Sequence, residues 1–278
     1  MKFDLDTAWK DAMGLLSRNL SLLAVVAGVF FFLPNAGITL AIPEMQELGK
    51  AQASGSFEVM MAAVENLYRS YWWVFLIMAV VQGIGVLAML ALVRRRANPT
   101  VGEALGSGAK LVASYIAAQL MQTGIIVMVA FLLIAVFAVT GLQALAALGA
   151  VMASVVALYL LVKFSLISPV IGIEGERNPV VALRRSWALT KGNSMRLFVF
   201  YILLILAFVI VSAVISLVLG LVFALAGEQA ALMGEAIISG IANAVGIVLM
   251  ICVLAAIHTQ LTRLEARPSV PVTHADED

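Results

Sequence analysis

The chain has 278 residues, of which 63% are hydrophobic and 12% charged, with 17 basic against 16 acidic side chains and a net charge of +1. Soluble domains carry roughly 45–50% apolar and about 25% charged residues, so a water-soluble globule, a disordered chain and a nucleic-acid binder are all excluded. The single cysteine, Cys252, allows no internal disulfide.

In chain order, residues 4–17 predict a short helix lying in the membrane interface. Leu5, Trp9, Met13 and Leu16 recur at helical spacing, while Asp4, Asp6, Lys10 and Asp11 are polar. The mixed charges of this segment, with no small-residue cleavage pattern, argue against a cleavable signal peptide. Six stretches then reach the roughly 20 apolar residues a spanning helix needs: 20–42, 72–93, 112–139, 145–170, 197–226 and 234–257. Pro34-Asn35 interrupts the first, and residues 57–71 after it predict an amphipathic helix anchored by Trp72 and Trp73. Thr140–Ala144 is a tight turn between the third and fourth, Pro169 kinks the fourth, and Ala226–Gly234 separates the fifth from the sixth. On the sixth, Ser239, Gly240, Ala242, Ala244 and Gly246 make a small-residue face suited to close packing.

The fold expected is therefore an all-α integral membrane protein. It has one polytopic domain over 1–266 and a disordered tail over 267–278, with Pro268, Pro271 and a terminal acidic triplet. With six spans, Lys2, Lys10, Arg18, Arg94, Arg95, Arg96, Lys110, Arg177, Arg184, Arg185, Lys191, Arg196, Arg263 and Arg267 all fall on one side. The positive-inside rule makes that side, with both termini, cytoplasmic. For a bacterial chain the membrane is the inner one.

Two further segments on that side begin Asn-Pro, Asn98-Pro99 and Asn178-Pro179, each an N-cap followed by proline at the first helical position. Together with 4–17 they suggest three repeats of an interfacial helix followed by a two-span hairpin. The alternative is that any six-span chain has three such connections.

The segment 174–198 is the best marked. Val180, Leu183, Trp187 and Thr190 share a helical face, Arg184, Arg185 and Lys191 border its polar side, and Gly192-Asn193 stops it. Arg184, Arg185, Trp187 and Lys191 are candidates for binding a lipid headgroup, since a basic residue near an anionic leaflet gains about 1 kcal/mol. The plainer reading is an orientation anchor that tilts the fifth span. The partners expected are membrane lipids, anionic ones above all.

The core ALRRSWALTKGN after Asn178-Pro179, following a proline-kinked span that ends SPVIGIEGE, resembles the membrane domain of bacterial glycerophosphoryl diester phosphodiesterases. In fused members the resemblance places phosphodiesterase activity in a separate soluble barrel. The residues after 257 are too few for one, so no catalytic residue carries over.

Within the spans, Lys163 is the one clear ionisable residue, and Gln119 and Gln122 are polar. Lys163 either snorkels toward the headgroups or packs against helix carbonyls, or else it faces a polar cavity and holds a lipid phosphate or a carboxylate such as Glu174. Gln82, Gln119, Gln122 and Asn243 read as interhelical hydrogen-bonding groups. No HExxH, Gly-x-Ser-x-Gly or Gly-rich phosphate loop is present. The two histidines, His258 and His274, with one cysteine, supply neither a metal site nor a general base. No cofactor and no catalysis are expected. The function expected is a non-catalytic, lipid-interacting or scaffold protein, with transport of a lipid-like or small amphipathic substrate as the alternative.

Overall fold

The structure is a computed structural model and describes residues 3–94, 99–139 and 141–266, with the side chain of Glu228 left aside. Over these residues the chain is helical throughout: α1 (Leu5–Ala27), α2 (Leu33–Ala41), α3 (Pro43–Ala53), α4 (Phe57–Leu92), α5 (Val101–Ala138), α6 (Gln143–Phe164), α7 (Ile167–Pro169), α8 (Pro179–Thr190), α9 (Ser194–Leu225) and α10 (Glu228–Glu265). Two π-helical turns, Gly28–Phe32 and Val170–Glu174, join α1 to α2 and end the α6–α7 rod. Six helical stretches are long and apolar enough to cross a membrane: 5–41, 57–92, 101–138, 143–174, 194–225 and 229–265.

The helices are longer than hydropathy alone suggests, because polar segments at their ends stay helical. Residues 4–17 do not form a separate helix but run straight into the first long one. The helix is unbroken from Leu5 to Ala27, and at the junction the side chains of Ser17 and Arg18 bond to the Gly14 carbonyl and that of Asn19 to the Leu15 carbonyl. The segment after the second span behaves likewise. Thr100 and Glu103 form a reciprocal capping box, and α5 continues unbroken to Ala138. The helix therefore starts at Val101 with Thr100 as its cap, not with Asn98 as N-cap and Pro99 at the first helical position; Asn98 itself lies outside the described residues, as do Arg95, Arg96, Thr140 and the tail 267–278.

Of the three expected interfacial helices, only α8 is set off from the span that follows it. Asn178 caps it by accepting the N–H groups of Val180 and Val181, and Gly192, at φ +80°, makes the turn into α9.

Three other boundaries move. Residues 57–71 are helical as expected but continue into the second span through a kink at Tyr71 (φ −126°, ψ 20°). The first-span irregularity precedes Pro34, where the π turn accommodates a ring that has no N–H and crowds the preceding turn. The turn before α10 is confined to Ala226-Gly227, with Gly227 at φ +107°, so 229–234 are helical.

α1, α9 and α2 pack on α10, bringing the first and last long helices together, while α4, α5 and α6 pack in sequence. Glycines set the closest approaches. A Cβ on Gly108 of α5 would lie 2.7 Å from the Ile84 carbonyl oxygen of α4, and one on Gly240 of α10 would lie 2.9 Å from the Phe32 ring. The most deeply buried side chains gather toward one end. Phe3, Leu90, Ile167, Ile171, Leu197 and Ile257 are all under 2% exposed, and α8 lies at this end. Toward the other end α5 and α9 turn apolar residues such as Phe131, Leu217 and Leu225 outward. This is the arrangement of a bundle whose solvent there is hydrocarbon.

Candidate functional site

The α6 helix stops at Phe164 and the chain re-enters helix only at Ile167. The break leaves backbone groups to be satisfied from elsewhere. Ser186 of α8, fully buried, does most of this. Its hydroxyl donates to the Lys163 carbonyl at 2.8 Å and accepts the Leu166 N–H at 3.1 Å. Thr190, one turn on, donates to the Ser186 carbonyl at 3.0 Å and approaches the Lys163 carbonyl at 3.4 Å. The Tyr201 hydroxyl of α9 donates to Ser165 at 3.0 Å. α8 is thus a structural plug in the break of α6.

This docking places the Lys163 side chain. It is 3% exposed, so it does not snorkel out, and among the described residues no carboxylate pairs with it. Its ammonium lies 5.1 Å from the centre of the Trp187 ring and 5.6 Å from that of Tyr159. The two rings meet edge to face at 88°. Negative ring faces stabilise a cation by about 0.5–2 kcal/mol, and they leave the ammonium without an anion. Beside it, between α6 and the start of α9, runs an apolar groove of about 560 Å³ lined by Val155, Leu158, Tyr159, Val162, Met195 and Phe198. Lys191, at the end of α8, is exposed.

The tandem arginines part company. Arg184 is exposed. Arg185 turns inward, with Nη1 2.8 Å from Glu265 of α10 and Nε 3.4 Å from Glu174. Partial burial works against its charge, but the Glu265 and Glu174 carboxylates outweigh that and hold its pKa above the ordinary arginine value. Glu174, expected as a partner for Lys163, is taken instead by Arg185 and by the buried His258, whose Nε2 lies 2.8 Å away. The chain His258–Glu174–Arg185–Glu265 therefore ties α8 to the last turns of α10.

Gln119 and Gln122 share no cavity with Lys163. Gln119 lines a cavity of about 470 Å³ between α4, α5 and α10 with Gln82, Thr123 and Ser168, and bonds to the Tyr115 hydroxyl at 3.4 Å. Gln122 is half-buried on α5 and outside that lining.

Sequence reading singled out Lys163, Trp187 and the α8 basic residues and placed Thr190 on the apolar face, but it did not find the Ser186 contact or the His258–Glu174–Arg185–Glu265 chain. The signal was present in Ser186 and Thr190, four apart on the face that carries Leu183, yet nothing in the sequence shows which carbonyl they meet. Among the described residues, no three of His, Cys, Asp and Glu come together as metal ligands would.

Comparison with curated proteins and with solved structures finds no match. A family model does match, over residues 4–264, which takes in the α8 plug, His258, Glu174 and Arg185, and all of the long helices except Glu265, the last residue of α10. The chain therefore belongs to the family described as a domain of unknown function, DUF7847.

Proposed function

We infer that this is a lipid-interacting protein of the bacterial inner membrane, without catalytic chemistry of its own, with both termini and α8 on the cytoplasmic side. The observation that carries this reading is the apolar groove between α6 and α9, whose wall includes Tyr159, the ring that also lies 5.6 Å from the buried Lys163 ammonium. An acyl chain matches the groove, and a phosphate matches the charge. Burying a lone cation is costly, and a headgroup phosphate at the Lys163 end would offset that cost.

The basic residues divide the work. Lys191 and Arg184, exposed on α8, face anionic headgroups in the surrounding leaflet. Trp187 carries one wall of the Lys163 nook and has the amphipathic ring favoured at a wet–apolar boundary. Arg185 holds α8 in place through Glu174 and Glu265 and is a positioning residue. The kinship with the membrane domains of glycerophosphoryl diester phosphodiesterases belongs to the same proposal, as does a layout of three helix-plus-hairpin units with α8 at the interface.

The test is native mass spectrometry of the protein extracted in mild detergent. Anionic phospholipid should be retained over phosphatidylethanolamine, and Lys163→Met combined with Lys191→Gln should abolish that preference. Retention unchanged in this double variant would remove the lipid-site reading.

A further inference from the structure

Gln82 and Gln119 sit within the apolar spans, where an amide is costly unless something bonds to it. As interhelical hydrogen-bonding groups they would each reach another helix, and neither does. Gln119 bonds to the Tyr115 hydroxyl, one turn back on the same helix, at a long 3.4 Å. The side chain of Gln82 makes no hydrogen bond among the described residues.

Both amides line the cavity of about 470 Å³ between α4, α5 and α10, with the hydroxyls of Tyr115, Thr123 and Ser168. Apolar side chains complete the lining, and no charged one does. A smaller cavity of about 310 Å³, beside α2 and α3, shares Ala79 and Gln82 with it, so Gln82 borders both.

Exposure rises across the larger cavity. Phe31 and Ile251 are buried, at 1% and 3%, whereas Leu120 is 68% exposed and Thr123 is exposed as well. The cavity is therefore a chamber with its floor in the bundle and its rim on the outer surface of α5. That rim lies near the middle of α5, a helix long and apolar enough to cross a membrane, so it opens on hydrocarbon.

Local features of the backbone shape the chamber. Gly83 lets the Tyr115 ring lie against α4, where an added Cβ would come within 3.2 Å of it. Phe31 is delivered by the π turn Gly28–Phe32, and Ser168 by α7, after the break in α6. π turns are rare and gather at functional sites.

The lining selects a class of ligand. An ion would lose its hydration there with no opposite charge to replace it. A purely apolar molecule would leave both amides unbonded. A molecule with an apolar body and a carbonyl or hydroxyl head satisfies both parts of the lining, because an amide donates and accepts. The volume is within the range of small-molecule pockets.

We propose that this chamber binds an uncharged amphiphile drawn from the bilayer, whose carbonyl or hydroxyl head bonds to Gln82 and Gln119 and whose apolar tail leaves past Leu120. It shares no lining residue with the α6–α9 groove, so either site stands without the other.

The test uses the full chain in phospholipid vesicles, with octanol carrying a photoreactive diazirine near its hydroxyl as the probe. Light expels dinitrogen from the diazirine, and the carbene left behind inserts into a neighbouring bond to hydrogen. Peptide mass spectrometry then locates the adducts. They should concentrate on Tyr115 and Met250, which line the chamber, and saturate as probe is added. Excess plain octanol should displace them, and octanesulfonate, the same chain with a permanent charge, should not. Adducts around Leu217, on the outer face of α9, should neither saturate nor respond to either competitor.

Gln82→Leu with Gln119→Leu should raise the half-saturating probe concentration about tenfold, the loss expected when about one hydrogen bond to the ligand goes. If the pair does not fold, Gln82→Leu alone should raise it severalfold. Labelling at Tyr115 and Met250 that rises linearly with probe, as at Leu217, would mean a chamber filled by water or lipid tails and would overturn the site. Equal competition by octanesulfonate and octanol would overturn the uncharged class. Unchanged half-saturation in a folded glutamine variant would overturn recognition by the amides.

Discussion

The hydroxyl of Ser186 sits between two backbone groups of another helix, donating to the Lys163 carbonyl at 2.8 Å and accepting the Leu166 N–H at 3.1 Å. A side chain on α8 thus completes a break in α6 twenty residues earlier in the chain. The same docking carries Trp187 over the Lys163 ammonium, so fold and candidate site depend on one polar contact.

Ser186→Ala removes both bonds from a fully buried position and leaves the Leu166 N–H without an acceptor. Such a group costs roughly 1–3 kcal/mol, and the melting temperature in detergent should fall accordingly. Thr190→Val should cost less, because its contact with the Lys163 carbonyl is already long at 3.4 Å. A Ser186→Ala protein as stable as the parent would mean that α8 is held by its apolar face alone.

Lys163→Met should leave stability within about 1 kcal/mol of the parent or raise it. Removing the ammonium orphans no acceptor, and the stabilisation lost over two rings, about 0.5–2 kcal/mol, is offset by relief of a buried charge. Thermal unfolding checks this. A large loss would reveal a partner that the ring geometry does not account for.

Arg184→Gln and Arg185→Gln should separate two adjacent residues of the same type. The first alters only an exposed side chain and should leave the melting temperature unchanged. The second breaks ion pairs to Glu174 and Glu265 and should destabilise by about 1 kcal/mol. A double-mutant cycle of Arg185→Gln with Glu265→Gln should be non-additive; additivity would mean that the 2.8 Å pair contributes nothing.

Gly108→Ala places a Cβ 2.7 Å from the Ile84 carbonyl oxygen, a backbone atom that cannot rotate away. Forcing α4 and α5 apart should cost roughly 1–3 kcal/mol. Gly102→Ala, with nothing within 4 Å of the added carbon, should be neutral or stabilising by up to about 1 kcal/mol. Equal melting temperatures for the two variants would show that the α4–α5 contact is not close-packed.

Class and layout were legible in the sequence, because a bilayer imposes its thickness on every span and its intolerance of charge on every composition. Six apolar runs, the helix over 179–190 with its Asn178 cap, its Gly192 stop and the isolation of Lys163 all follow from local chemistry that needs no partner. Helix ends did not follow so well. Segments such as 4–17 are polar enough to suggest an interface, but nothing between them and the span breaks the helix, which runs on from Leu5 to Ala27.

What only the tertiary structure decided was which groups meet. Arg184 and Arg185 are the same residue type side by side, yet their 100° separation around a helix sends one outward and the other to Glu174 and Glu265. Lys163 finds two aromatic rings rather than a carboxylate because α8, inserted into the break of α6, delivers Trp187 to it and leaves Glu174 to His258. Those pairings join residues distant in sequence, from helices whose relative rotation is set by packing at contacts such as Gly108 on Ile84, and no local pattern encodes that rotation.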